Sequence, residues 1–279
     1  MALPDLSNSL YVARLRYIQS IHEPPERRNP DTLVRKFLPL VSRWRATWLS
    51  REELSKFRAD PFYYYLIART RHYDEVFVEA LSAGVQRIVS IGCGSDTRPY
   101  RFEASLRSKS VKVLECDQQE AIQLKRSMVR RWPGAEQVEY MSIDLNDGTW
   151  PELSRRLGDQ KGAKTLVMLE GVSPYVDETH FGRFLTLLGT ELRSGSHVAY
   201  DFKLRGVKED FGRVGRTQRP FRLPPDRAEL EGFHIEHRLR LTSFELSSEL
   251  CDRLLPGAAK SAVSPFTEDG LVRLEVIGA

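Results

Sequence analysis

Five short apolar runs, each ending at a glycine or a carboxylate, set the rhythm of the chain between residues 86 and 202. They are Gln86 to Ile91 before Gly92, Val111 to Cys116 before Asp117, Val138 to Ile143 before Asp144, Thr165 to Leu169 before Glu170, and Ser196 to Phe202 around Asp201. Runs of this length, bounded by turn residues and rich in Val and Ile, read as buried strands. Between them lie segments with helical spacing. Gln118 to Arg131 carries Ile122, Leu124, Met128 and Val129 on one face, Thr149 is placed to cap a helix opening at Trp150-Pro151, and Asp177 to cap one running through Arg193. Alternating strands and helices predict an α/β fold: a mostly parallel, doubly wound sheet with helices on both faces and ligands at the carboxyl ends of the strands. Near the end, Phe233 to Leu241 and Leu271 to Ile277 predict a terminal antiparallel hairpin.

Upstream of the first strand the pattern is helical. Tyr11, Leu15 and Ile18 share one face, Pro24-Pro25 interrupts, and short helices are expected at Asp31 to Leu38 and Arg51 to Lys56. Asp60-Pro61 is an N-cap followed by proline at the first helical position, so Phe62 to Ala83 reads as one long helix stopped by Gly84. Residues 1–84 are therefore expected to form a helical lid over the loop end of a core spanning 85–279. The stretch 205–227, with Gly206, Gly212, Gly215, Pro220, Pro224 and Pro225, reads as an irregular insertion.

Composition narrows the function classes. The 279 residues carry 42 basic and 38 acidic side chains, a net charge of +4, too evenly mixed to argue for nucleic acid. Cys93, Cys116 and Cys251 have neither metal spacing nor an even number for disulfides, which suits reduced thiols in a cytoplasmic protein without a metal. No run approaches 18 apolar residues and the first residues lack a signal-peptide pattern, so neither a membrane partner nor secretion is expected.

The chemistry gathers after the first strand. Gly92 and Gly94 permit positive φ and close approach of the backbone to a ligand. A dinucleotide fingerprint calls for a third glycine three residues later, where this chain has Thr97. Asp117, at the end of the second strand, stands where such sheets place a carboxylate on ribose hydroxyls. A ribose ligand without the pyrophosphate glycine favours S-adenosylmethionine over NAD. A reductase is further disfavoured because the Tyr200 region lacks a Tyr-x-x-x-Lys pair, and a nucleic-acid methyltransferase because Ser173-Pro174-Tyr175 falls short of an Asn-Pro-Pro-Tyr motif.

In these segments the chain resembles the leucine carboxyl methyltransferases and their bacterial relatives, the polyketide-associated O-methyltransferases, from about Tyr63 to Leu255. Ala68-Arg69 is similar to the family's Ala-Arg element, Ile91-Gly92-Cys93-Gly94-Ser95-Asp96-Thr97 to its Leu-Gly-x-Gly-x-Asp-Thr turn, and Glu115-Cys116-Asp117 to its Glu-x-Asp strand end. Asp144-Leu145 is similar to its Asp-Leu pair, and Glu170 to Tyr175 to its Glu-x-Val-x-x-Tyr segment. The resemblance implies a class I methyltransferase fold with S-adenosyl-L-methionine as cofactor. It implies Arg69 on the methionine carboxylate, Gly92 on the methionine backbone, Asp117 on the ribose, Asp144 and Leu145 at the adenine, and Glu170 on the methionine amine, with Gly94 also at the cofactor.

The expected activity is O-methylation of a hydroxyl or carboxyl group on a small natural product such as a polyketide, free or carrier-bound. The alternatives are a protein C-terminal carboxyl methyltransferase and a non-catalytic cofactor-binding module. Tyr175 and Asp201 are the expected acceptor contacts. Tyr175, His180 and Asp201 stand near the ends of strands four and five, but no two of them have the spacing of a catalytic dyad, so no catalytic base is assigned.

Overall fold

The computed structural model describes residues 6–159, 162–207, 219–256 and 264–278. Helices α1 (Leu6–His22), α2 (Leu40–Thr47), α3 (Arg51–Arg58) and α4 (Pro61–Ser82) precede strand β1 (Arg87–Ile91). Then come α5 (Arg98–Arg101), α6 (Glu103–Ser108), β2 (Lys112–Asp117), α7 (Gln119–Val129), β3 (Val138–Ser142), α8 (Pro151–Gly158), β4 (Thr165–Leu169), α9 (Glu178–Glu191) and β5 (His197–Leu204). The carboxyl-terminal part holds β6 (Arg222–Leu223), α10 (Arg227–Ile235), β7 (Leu239–Leu246), α11 (Ser247–Leu254) and β8 (Asp269–Val276).

The strands lie in the order β3-β2-β1-β4-β5-β8-β7, with β6 on β5. β1 to β5 run parallel, and β8 is antiparallel to both β5 and β7. This is the mostly parallel, doubly wound sheet expected from the pattern of runs. Register then aligns the strand ends. Ile91 faces Cys116 on one side and Leu169 on the other, and Leu169 faces Tyr200. One residue further along each strand come Gly92, Asp117, Glu170 and Asp201, so a single row at the carboxyl edge carries every strand-end residue of interest but Asp144.

Asp60 caps α4 by accepting the Phe62 N–H at 2.9 Å, with Pro61 at the first position, as its sequence suggests. This helix is a layer of the sheet's core rather than a cover: Tyr65, Ile67, Tyr73, Val76 and Phe77 pack with Ile88, Val113 and Leu166. The helices before it share a further apolar cluster, which α4 joins through Tyr63 and Leu66, while Phe37 reaches into the sheet's core.

The carboxyl-terminal part departs from expectation. The strand expected over Phe233 to Leu241 begins at Leu239, because Phe233 to Ile235 finish α10. Inside that helix His234 is buried, its ring nitrogens meeting Leu230 O and the Tyr200 hydroxyl at 2.6 Å each. A tertiary partner here outweighs the alternating pattern. β7 and β8 pair as anticipated but are separated by α11, so they form no tight hairpin. Thr149 does not cap α8: the N-cap position is Trp150, which makes no side-chain cap and whose indole donates instead to Asp144 O at 2.9 Å. Within the expected insertion, residues 208–218 lie outside the described residues. The rest is anchored: the Phe221 N–H bonds Val176 O, its ring sits 4.1 Å from that of Phe181, and β6 pairs with β5.

Candidate active site

The turn after β1 is where sequence and ligand chemistry meet most closely. Gly92 and Gly94 have φ of +65° and +36°, conformations that cost a side-chain-bearing residue about 1–2 kcal/mol. A Cβ on Gly92 would stand 2.4 Å from Val172 Cγ2, so the turn also needs hydrogen at that place. Gly92→Ala is expected to lower stability by ~1–2 kcal/mol and weaken S-adenosylmethionine binding about tenfold, as the loop shifts to relieve the overlap. Calorimetry on the folded variant checks this; unchanged affinity would remove the turn from the site.

Asp117 holds the turn from the neighbouring strand. Its Oδ2 accepts the Gly94 N–H at 2.7 Å and its Oδ1 the Gln118 N–H at 2.8 Å. Burial pushes its carboxyl up against those two N–H groups, which pull it down. Beneath the turn, the fully buried Lys125 ammonium of α7 donates to Cys93 O at 3.2 Å and to Glu115 Oε1 at 2.6 Å. The turn is thus held by β2 from the side and by α7 from below.

Thr97, in the place of the third glycine, is fully buried. Its hydroxyl donates to Asp31 at 2.6 Å and accepts from Arg101 Nε at 2.9 Å. Asp31 also pairs with Arg16 of α1 at 3.1 Å, and Arg16 in turn bonds the Ser95 carbonyl and hydroxyl at 3.1 and 2.5 Å. Ser9 of the same helix lies against Gly94. The N-terminal segment therefore sits directly on the glycine turn.

Across the row, Arg69 from α4 reaches Asp201 Oδ2 at 3.4 Å and Glu170 Oε1 at 3.5 Å, both long for a charged hydrogen bond. Its Nε is buried with no hydrogen-bond partner, and its guanidinium lies over the Phe62 and Tyr65 rings. A planar fork with donor capacity left over suits a carboxylate. Glu170 is gripped more firmly by Arg98, at 2.8 Å, a residue that sequence reasoning passed over. Arg98 also binds Asp74 at 2.9 Å and Asp96 at 3.2 Å. Burial works against ionisation of Asp96, but Arg98, Lys125 and the Arg98 N–H together hold its carboxyl down to about 2. The local signal was the Asp96-x-Arg98 spacing, which lets Asp96 accept the Arg98 N–H at 2.9 Å. Nothing near Asp31 or Asp74 in the sequence announces their part.

The remaining residues divide. Asp144 accepts the Asn146 N–H at 2.9 Å and Gln118 Nε2 at 3.1 Å, leading a 3₁₀ turn, Leu145–Asp147, in which Leu145 is buried. Tyr175 ends the 3₁₀ turn Ser173–Tyr175, its carbonyl accepting Asn146 Nδ2 at 2.9 Å. His180 lies in the first turn of α9, where Asp177 caps the helix. Asp201, expected at the acceptor, is 1% exposed: Oδ1 accepts the Tyr73 hydroxyl at 2.8 Å and the Gly171 N–H at 2.7 Å, and Oδ2 faces Arg69. As folded, it braces Arg69 and the turn after β4 and presents no open face to an acceptor.

Residues 9–188 match the sequence model of the leucine carboxyl methyltransferase family. A Streptomyces coelicolor protein, provisionally described as an S-adenosyl-L-methionine-dependent methyltransferase, is 26% identical over 203 residues, covering 72% of this chain and 70% of the relative. A Streptomyces avermitilis protein of the same description is 24% identical over 204 residues, with the same coverage. Among solved structures, a DUF574 family protein from Streptomyces avermitilis superposes with a TM-score of 0.57 at 17% identity, over 95% of this chain and 96% of that one, which shows the shared fold. With 180 contiguous residues matched, from 9 to 188, the chain belongs to the leucine carboxyl methyltransferase family, and its methyl donor is S-adenosyl-L-methionine.

Proposed function

We propose that the protein transfers the methyl group to an oxygen, hydroxyl or carboxylate, of a small natural product, free or carrier-bound. In this reading Arg69 receives the methionine carboxylate, Glu170 its ammonium, Asp117 the ribose hydroxyls, and Asp144 with Leu145 the adenine. The long contacts of Arg69, whose buried Nε lies 3.5 Å from Glu170 Oε1 without a hydrogen bond, support that arrangement. Tyr175, beyond β4, contacts the acceptor.

The observation that carries the mechanism is the commitment of Asp201 to Tyr73, Gly171 and Arg69, which removes the best-placed carboxylate from service as a base. Methyl transfer from a sulfonium needs acceptor oxygen, methyl carbon and sulfur held in line, and such positioning alone can supply much of the rate. The acceptor oxygen reacts as its anion, a carboxylate as it stands and a hydroxyl after giving its proton to water, and bonds the methyl carbon as the carbon–sulfur bond breaks, its electron pair staying on the sulfur of S-adenosylhomocysteine. A carboxylate, with a pKa near ~4, is already ionised and requires no base. A dedicated base would contribute ~10²–10⁴-fold.

Single-turnover methyl transfer is therefore expected to vary less than ~10-fold between wild type, His180→Ala and Tyr175→Phe at saturating cofactor, and to be flat in pH above the acceptor's own ionisation. A loss beyond ~10³-fold in either variant, with cofactor affinity intact, would establish a general base and contradict this mechanism.

A further inference from the structure

Helix α2 is built with its apolar face outward. At roughly 100° per residue, Leu40, Val41 and Trp44 fall within one arc of roughly 100°, bordered by Arg45, and Trp48 follows as the C-cap. These four are 76%, 62%, 65% and 73% exposed, while Ala46 on the opposite side is the buried residue of the helix. Surface helices turn such a stripe toward the core. A contiguous exposed apolar patch marks an interaction site.

Charge narrows the partner. From Thr32 to Arg51 the chain has five cations, Arg35, Lys36, Arg43, Arg45 and Arg51, and no carboxylate. Arg35, Arg45 and Arg51 are exposed and form no ion pair among the described residues. The next acidic side chains are engaged, Glu53 in the capping box of Ser50 and Glu52 with Lys56. A second copy meeting this face across a two-fold axis would set the arginines against their own counterparts. An exposed stripe with two tryptophans, bordered by Arg45 and flanked along the chain by the exposed Arg35 and Arg51, instead suits a surface that is apolar beneath and anionic on top, which is how interfacial helices bind lipid.

We propose that α2 docks the protein on an anionic lipid surface, with Trp44 and Trp48 in the headgroup region and Arg35, Arg45 and Arg51 on lipid phosphates. This stands apart from the methyl-transfer reading and needs no spanning helix; among the described residues no helix is long and apolar enough to cross a membrane. It departs from the expectation that no membrane partner exists, which rested on spanning runs alone.

Flotation of the full chain with phosphatidylcholine vesicles, with and without phosphatidylglycerol, tests it. Wild type is expected to float with the anionic vesicles at least ~10-fold more than with neutral ones, and to be released at high salt. Trp44→Ser/Trp48→Ser is expected to lose at least ~10-fold of that binding with an unchanged unfolding midpoint, and a blue shift of tryptophan emission on vesicle addition to vanish with it. Failure of wild type to float, or equal flotation of the double variant, would overturn the proposal. So would a wild-type dimer in sedimentation that the double variant renders monomeric, because the face would then be a contact between copies.

Discussion

Replacing Arg69 with methionine is expected to destabilise the fold by ~3–5 kcal/mol, the usual cost of removing one partner of a buried ion pair. The reason lies in Asp201, which keeps its bonds from Tyr73 and Gly171 but loses the Arg69 guanidinium that faces its other oxygen. Burial already raises the Asp201 carboxyl and Arg69 pulls it down, so the variant's carboxyl rises further. A group whose folded pKa lies above its unfolded value binds more protons when folded, so the contribution of Asp201 to the variant's stability is fully present below the unfolded pKa, near ~4, and is lost as pH rises through the folded one. Urea unfolding across pH measures both effects. Arg69→Lys separates them from cofactor binding: a charge is retained, the bidentate fork is not, and S-adenosylmethionine affinity is expected to fall even where stability largely survives. An Arg69→Met protein as stable as wild type would mean that Asp201 does not depend on this pair.

Lys125→Met is expected to cost a similar ~3–5 kcal/mol, through Glu115. Burial pushes the Glu115 carboxyl up to about 7, and Lys125 at 2.6 Å works against that rise. Without the ammonium the carboxyl moves higher and becomes neutral, so the same sign applies: this group's contribution is lost between the unfolded carboxyl range near ~4 and its raised folded pKa, and in the variant the loss continues above about 7, where wild type levels off. Because Lys125 also holds Cys93 O, S-adenosylmethionine affinity is expected to drop together with stability. Stability that varies with pH as in wild type would show that the pair is not set as described.

The parts of this molecule legible in its sequence are those whose cause is local. Strands β1 to β5 announce themselves as apolar runs, and the turn at Gly92 and Gly94 needs a backbone that glycine adopts readily, so its place could be read directly. Asp60 and Asp177 likewise signal their helices through neighbours two or three residues away. The charge network is different in kind. Thr97 meets Asp31 across 66 positions and Arg69 meets Asp201 across 132, and no window of sequence contains both members of either pair. Asp201 illustrates the consequence: its place at a strand end was legible, but its burial under Arg69 and Tyr73 was not. The strand expected over α10 does not form, and α2 lies where no helix is expected. Phe233 to Ile235 alternate like a strand yet are held helical by the Tyr200 contact to His234, whereas Leu40, Trp44 and Trp48 have the spacing of a buried face yet point outward.

The central claim, that S-adenosylmethionine sits at the carboxyl ends of β1, β2 and β4, is tested most directly by calorimetric titration of the cofactor into wild type and Asp117→Ala. Loss of charged hydrogen bonds to the ribose is expected to cost ~2–3 kcal/mol, a weakening of roughly 30- to 150-fold. Wild type that binds the cofactor and an Asp117→Ala protein, folded by circular dichroism, that binds it equally well would contradict the account.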